Sequence, residues 1–327
     1  MPKSQFMESV RAALRTRQYS IRTEKCYLYW VRQFIRFNAM LHPENMNNEH
    51  VERFLTDLAV AKKVSPSTQN LALCAIVFMY RYVIGRELEG LNYGYTRTPK
   101  NLPAVLSPSE VKTIMEQLHG RAKLITALLY GSGLRIHEAL RLRVKDINFY
   151  DRSVFVFRGK GRKDRYTLLP SGLVQGLMQQ MEKVRESHNA DLAEGFGATS
   201  VPASLKRKYQ SALNDYAWQY LFPSDVRCQH PVDGYICRHH WHTSSYRRQL
   251  RAAVVKSNLP KRVTAHTFRH SFATRLLEQG TDIRTVQELL GHTDLKTTEI
   301  YTHVLGSRRA GVLSPVDGII NTKQQNS

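Results

Sequence analysis

The sequence predicts a mainly α protein with a small antiparallel β-sheet (α+β): an N-terminal helical bundle followed by a larger mixed domain. Three observations carry that expectation. Apolar residues recur at helical spacing through much of the 327-residue chain. Capping residues and glycines punctuate that periodicity at intervals suited to helices. Strand-like runs flank a glycine-rich tip at Gly159-Lys160-Gly161, which predicts one hairpin.

Charge bounds the class of partner. Lysine and arginine outnumber aspartate and glutamate 48 to 27, a net charge of +21. The excess is spread along the chain, with 14 basic against 8 acidic residues up to position 98 and 34 against 19 beyond it. Such an excess disfavours an enzyme that works without an acidic partner and favours nucleic acid, whose phosphates give sequence-independent affinity. Cys26, Cys74, Cys228 and Cys237 show no paired C-x-x-C spacing. Cys228, Cys237, His239, His240 and His242 lack the regular ligand spacing of a zinc site, so no metal is expected. The longest apolar run, Leu71 to Tyr80, is too short to span a bilayer. A reduced, cytoplasmic protein with no membrane partner is expected.

Residues 1–98 read as four helices. Tyr27, Trp30, Val31, Phe34 and Ile35 follow the amphipathic pattern, as do Val51, Phe54, Leu55 and Leu58 after an Asn47-Asn48 cap. Ser65-Pro66 supplies a cap and first turn for a helix ending at Gly85. Around these apolar faces lie Arg15, Arg17, Arg22, Arg32, Arg36, Lys62 and Lys63, a set that suits clamping one face of a duplex. A polar, aperiodic, Pro-containing stretch over 92–104 marks a linker, with the boundaries set at 99–104 and a second domain over 105–327. That domain opens on Ser107-Pro108-Ser109-Glu110, a capping box with proline at the first helical position.

Within the second domain, Gly131 and Gly133 break a helix and Arg135 stands where the next begins, with Glu138 three residues on and able to orient it. Ser153–Arg158 and Arg165–Leu169 read as the two strands of the hairpin, and a helix follows over 171–187. Periodicity then fails from about 189 to 241. There aromatic and basic residues interleave, among them Lys206, Arg207, Lys208, Tyr209, Trp218, Tyr220, Arg238, His239, His240 and Trp241. Nucleobases splayed out of a helix stack on side chains of this kind, while a core role for the aromatics is the competing reading.

The last motif-bearing run is HTFRHSFATRLLEQGTDIRTVQELLGHTDLKTTEIYTH, from His266 to His303. His266 and Arg269 stand three apart, on one face of a helix. Gly291 suits a helix stop before His292, and Tyr301 follows nine residues later inside a second helical pattern. A tyrosine among imidazoles and arginines in a basic protein points to attack on a phosphodiester.

The ordered series HxxR, LGH and Tyr resembles the C-terminal signature of the tyrosine recombinase (phage integrase) family. The resemblance implies a catalytic domain in which Arg135, Lys160, His266, Arg269, His292 and the nucleophile Tyr301 act together without metal, ATP or other cofactor. It implies that Arg135 and Arg269 clamp the phosphate, Tyr301 forms a 3′-phosphotyrosyl bond and Lys160 protonates the departing 5′-oxygen. His266 would assist proton transfer, and His292 would hydrogen-bond a non-bridging oxygen. The 189–241 segment, with its LKRKY, W-x-YLFPS and RHH runs, is similar to the insertion of integron integrases. These act as tetramers and recombine gene-cassette sites, including sites folded as single-stranded hairpins. On that likeness Trp218, His239 and His240, with Lys206, Arg207 and Lys208 nearby, would contact DNA. A recombinase confined to duplex sites, a type IB topoisomerase and a non-enzymatic DNA-binding protein are the alternatives.

Overall fold

The computed structural model describes residues 4–90, 104–157, 163–201, 206, 210–230 and 233–301. The chain divides into two compact units, Met1–Asn101 and Leu102–Ser327. Helices dominate both, with two small antiparallel sheets in the second.

In the first unit, α1 (Gln5–Thr16), α2 (Ile21–Phe37), α3 (Asn48–Val60) and α4 (Pro66–Met79) surround one core. Their ends follow local chemistry. Ser20 and Ser65 accept from the backbone N–H groups of Thr23 and Thr68, and Asn47 forms a capping box with His50. Trp30, Val31 and Phe34 of α2 meet Val51, Phe54, Leu55 and Leu58 of α3 in the core, where the Phe34 and Phe54 rings pack edge to face at 5.5 Å. Side chains of this size each contribute ~1.5–3 kcal/mol on full burial. A π-helical turn, Tyr80–Ile84, extends α4, and Gly85 ends it at φ +79°. Tyr80 is wholly buried and its hydroxyl donates to the Pro43 carbonyl at 3.1 Å.

The second unit begins with α5 (Pro108–Glu116), whose capping box pairs Ser107 with Glu110, and continues through α6 (Gly120–Gly131) and α7 (Ile136–Arg141). A three-stranded antiparallel sheet follows: β1 (Ile147–Asn148), β2 (Ser153–Val156) and β3 (Arg165–Leu168), in that order. The strand β1 carries too few residues to show alternation, which is why the sequence did not reveal it. Helix α8 (Val174–Ala193) outlasts the expected 171–187 by a turn and a half, because Val184, His188 and Asp191 keep one face buried.

Beyond α8 come short 3₁₀ turns, including Tyr216–Trp218, and a two-stranded ribbon of β4 (Cys228–Gln229) and β5 (Ile236–Cys237). Cys228 and Cys237 face each other across that ladder as free thiols. The chain closes on α9 (Thr243–Lys256), α10 (Ala265–Glu278), α11 (Ile283–Leu290) and the four-residue α12 (Lys296–Glu299). The core joins Ile125, Leu128 and Leu129 of α6 to Phe268 of α10, with Phe222, Trp241 and Tyr246 beside them. Among the described residues no helix is long and apolar enough to cross a membrane.

Candidate active site

The site is assembled where α7, β3, α10 and α11 converge. Helix α6 ends at Gly131, and Gly133 turns the chain at φ +62°. A Cβ there would lie 2.4 Å from the Phe272 ring of α10, so glycine alone permits this close approach. The turn delivers Arg135 to the N-cap of α7. Its backbone N–H donates to Glu138 Oε2 at 2.8 Å and its Nη1 to Oε1 at 2.7 Å.

Glu138 is the anchor of the cluster. Arg165 of β3 meets the same carboxylate in a two-point pair, Nη1 to Oε1 at 3.1 Å and Nη2 to Oε2 at 2.7 Å, and its Nε donates to the Leu289 carbonyl at 2.9 Å. Arg269 Nη1 adds a third cation 3.7 Å from Oε2. Burial opposes ionisation of Glu138, but the Arg165 hydrogen bonds and charge and the Arg135 N–H outweigh it and hold the pKa at about 2. Because the folded value lies below the ordinary 4.5, the carboxylate's contribution is present above pH 4.5 and is lost as pH falls toward 2. Glu138→Ala leaves three guanidinium groups around an empty carboxylate site. We expect a loss of ~3–5 kcal/mol in urea unfolding at neutral pH, as for one partner removed from a buried ion pair. A wild-type unfolding midpoint would show that Glu138 is not the anchor.

Arg269 is 3 % exposed. Nη1 donates to the Gly133 carbonyl and Nη2 to the Leu290 carbonyl, each at 2.6 Å, and Nη2 also meets His292 Nε2 at 3.0 Å. Burial first, then repulsion from Arg135, lowers its pKa to about 9. A guanidinium only donates, so His292 Nε2 is the acceptor and the imidazole proton sits on Nδ1, 2.9 Å from Thr298 Oγ1. In this arrangement both nitrogens of His292 serve to orient Arg269. His266 lies in the first turn of α10 with part of its side chain open to solvent; desolvation of the rest, then the nearby Arg269, Arg135 and Arg247, lowers its pKa.

Gly291 ends α11 at φ +63°, where a Cβ would meet Arg165 Cδ at 2.7 Å. Tyr301 lies just past α12 rather than inside a helix, since α12 stops at Glu299. Its N–H returns to the Thr298 carbonyl at 3.0 Å. The phenol is 3 % exposed, within a small cluster with Phe272, Leu277, Val286 and Leu290. Its ring lies 6.4 Å from that of His292, nearly parallel, and its hydroxyl is 2.9 Å from His270 Nδ1. Burial raises the phenol pKa, while Arg269 and Arg135 pull it down.

Arg135, His266, Arg269, His292 and Tyr301 thus fall in one neighbourhood, whereas Lys160 lies outside the described residues. Sequence reasoning passed over two members, His270 and Arg165. His270 adjoins Arg269 and stands four residues after His266, so its helical spacing was a usable signal. Arg165 carried none, because its partners are separated from it by 27 and 124 positions.

The 189–241 segment separates its aromatic residues into two groups. Trp241 and Tyr220 belong to the interior, each 6 % exposed, as the core reading has it. Arg238 forms a two-point pair with Asp191 at 2.6 and 2.7 Å. Trp218 is half-buried, with Lys145 Nζ 2.9 Å from its ring centroid, and Arg143 donates to its carbonyl. Arg143 also holds the Ser200 carbonyl at 2.8 Å. His239 and His240 are half-buried with ring centroids 4.1 Å apart. His239 Nδ1 meets Ser200 Oγ at 2.9 Å, and His240 Nδ1 donates to the Trp241 carbonyl at 2.8 Å. Burial above all lowers both, His239 to about 4 with His240 and Arg141 adding to it, and His240 with Arg141 adding against the opposing hydrogen bond to Trp241. Lys206 lies 3.8 Å from Asp233 and over the Tyr235 ring, while Arg207 and Lys208 lie outside the described residues. In the first unit Arg15 pairs with Glu24, Lys62 lies 3.4 Å from Asp57, and Arg17 covers the Tyr82 ring, whereas Arg22, Arg32, Arg36 and Lys63 are exposed.

Comparison with known proteins places this architecture. The model of the phage integrase family matches residues 104–308, and that of the phage integrase N-terminal SAM-like domain matches residues 6–90. An integrase/recombinase of Escherichia coli is 43 % identical over 314 residues, covering 96 % of this chain and 93 % of that protein. The tyrosine recombinase XerA of Thermococcus kodakarensis is 32 % identical, over 86 % and 84 % of the two chains. Among solved structures, the Tn1549 transposon integrase in complex with transposon right end DNA shares the fold at a TM-score of 0.64 and 16 % identity, over 98 % and 99 % of the chains. Fold and matches together define a tyrosine recombinase, an enzyme that breaks and rejoins DNA in site-specific recombination. The chain belongs to the phage integrase family.

Proposed function

We propose that this recombinase is an integron integrase, integrating and excising gene cassettes at sites that include folded single-stranded hairpins. In this reading Tyr301 attacks the scissile phosphate in line and forms a 3′-phosphotyrosyl bond, which conserves the bond energy for rejoining. Arg135 and Arg269 donate paired N–H groups to the non-bridging oxygens as charge grows there. Arg135 suits this because Nη1 alone is hydrogen-bonded among the described residues. Lys160 protonates the departing 5′-oxygen and His266 assists proton transfer. His292 orients Arg269 and, by turning its ring, hydrogen-bonds a phosphate oxygen. The first unit grips the duplex, with the linker at 99–104, and four copies act on two DNA sites in the cytoplasm.

The observation that carries the integron reading is that the 189–241 segment holds both two uncharged imidazoles and a cation-capped indole. His239 and His240 are neutral at physiological pH, so they offer flat stacking faces rather than phosphate-binding charge. Lys145 and Arg143 keep positive charge beside Trp218, where a backbone phosphate flanking an extruded base would lie. Lys206, Arg207 and Lys208 add charge along the same segment.

Trp218→Ala should weaken binding to a hairpin bearing unpaired bases by ~1–3 kcal/mol, the stacking contribution of one base. Binding to the same stem with those bases deleted should hardly change. Equal losses on both hairpins with a lowered Tm would return Trp218 to a packing role, and the duplex-site recombinase would become the better reading.

A further inference from the structure

The hydroxyl of Tyr301 needs somewhere to send its proton. Burial keeps the phenol protonated at neutral pH despite Arg269 and Arg135, so attack on phosphorus requires a neighbouring lone pair. Glu138 is committed to Arg135 and Arg165. In His292 the only unprotonated nitrogen accepts from Arg269. His266 stands a helical turn from His270, rings 6.4 Å apart, and makes no hydrogen bond to the phenol. His270 Nδ1, by contrast, lies 2.9 Å from Tyr301 Oη.

The direction of that hydrogen bond follows from acidity. Burial first, then His266 and Arg269, press the His270 pKa down to about 4, so the ring is neutral at physiological pH. Between a neutral phenol and a neutral imidazole, the phenol is much the stronger acid. Tyr301 therefore donates and Nδ1 accepts, with the ring proton on Nε2.

We propose that His270 is a catalytic residue, the proton acceptor for Tyr301 in strand cleavage and the donor that restores its proton on rejoining. The inference rests on the reading of Tyr301 as nucleophile. In cleavage the Oη–P bond forms, the P–O5′ bond breaks, the phenolic proton passes to His270 Nδ1, and the 5′-oxygen takes a proton from the acid assigned to Lys160. In rejoining each transfer reverses. The charged or titratable groups facing this pair are His266 and Arg269 on α10, Arg135 at the start of α7, and His292 after α11, with Glu138 and Arg165 behind them. A phosphate seated between the two arginines offsets the cations that disfavour imidazolium. The imidazolium then lies beside the charge growing on the phosphoryl oxygens.

The test uses the full chain and an oligonucleotide site on which the wild-type protein forms a covalent adduct. His270→Asn keeps a hydrogen-bonding group near the Nδ1 position but cannot take a proton, and His270→Ala removes both. Each should bind the oligonucleotide like wild type and cleave it ~10²–10⁴-fold more slowly, the range for a lost general base. Without an acceptor the enzyme must wait for phenolate, so adduct formation by His270→Asn should rise about tenfold per pH unit between pH 7 and 9, where wild type stays level. This slope does not depend on how much of the protein is folded. An oligonucleotide with a 5′-bridging sulfur, whose leaving group needs no acid, should not restore the rate. A level pH profile in His270→Asn, or full rescue by the sulfur substrate, overturns the inference. An adduct in Tyr301→Phe overturns the nucleophile reading as well. If that variant is inert and His270→Asn is unimpaired, this inference alone falls.

Discussion

Tyr301→Phe is expected to abolish covalent capture of DNA while leaving affinity within about twofold of wild type, because the oxygen contributes to chemistry and little to binding. The substitution removes one atom from a phenol that is 3 % exposed and packed with Phe272, Leu277, Val286 and Leu290. Its hydrogen bond to His270 is lost without leaving a cavity, so stability should fall by no more than the ~0.5–1.5 kcal/mol that one hydrogen bond contributes. No other tyrosine of the described residues stands beside the arginine pair to take over. A denaturation-resistant protein–DNA adduct formed by Tyr301→Phe would sink the assignment.

The second large effect concerns the arginine pair, where geometry separates two substitutions that look alike on paper. Lysine preserves one charge but not the planar fork, so Arg135→Lys and Arg269→Lys should each slow cleavage by ~10²–10³-fold, the scale of one lost preorganised donor. Their effects on stability should differ. Arg269 supports the Gly133 and Leu290 carbonyls from a buried position, and one ammonium cannot span both together with His292. Arg269→Lys should therefore also cost ~1–3 kcal/mol of stability for a buried acceptor left unpaired. Arg135 has a partly exposed side chain and hydrogen-bonds only to Glu138 among the described residues, so Arg135→Lys should leave the Tm nearly unchanged. Cleavage rates measured beside thermal melts check both statements. Near-wild-type cleavage by both lysine variants would remove the clamp from the mechanism.

Several features were legible in the residues because their causes are local. The Ser65-Pro66 and Ser107-Glu110 caps, the Asn47 cap, the glycine stops at 85 and 291, and the break between Gly131 and Arg135 are written within three to five positions. The two strands were legible for the same reason, since β2 and β3, consecutive in the chain, pair antiparallel as their spacing predicted. Boundaries drifted where packing overrode local preference. Helix α8 runs on to Ala193 because its far end has a surface to cover, and Tyr301 falls outside α12 because that helix is a single turn.

By itself, then, the sequence determined the mainly helical class, the basic charge that points to DNA, and the order of an arginine, an HxxR pair, an LGH turn and a tyrosine along the chain. Only the tertiary structure decided how those groups are engaged. It set Arg165 and Arg135 on one carboxylate, turned the lone pair of His292 toward Arg269, and placed His270 rather than His266 against the phenol. It also sent Trp241 and Tyr220 to the core while leaving Trp218 half-buried under Lys145, although all three lie in one aromatic-rich run. The physical reason is one of range. Caps and periodicity depend on neighbours a few residues apart, which spacing records. Hydrogen-bond direction and side-chain burial depend on groups brought together across 23 to 136 positions, which spacing does not record.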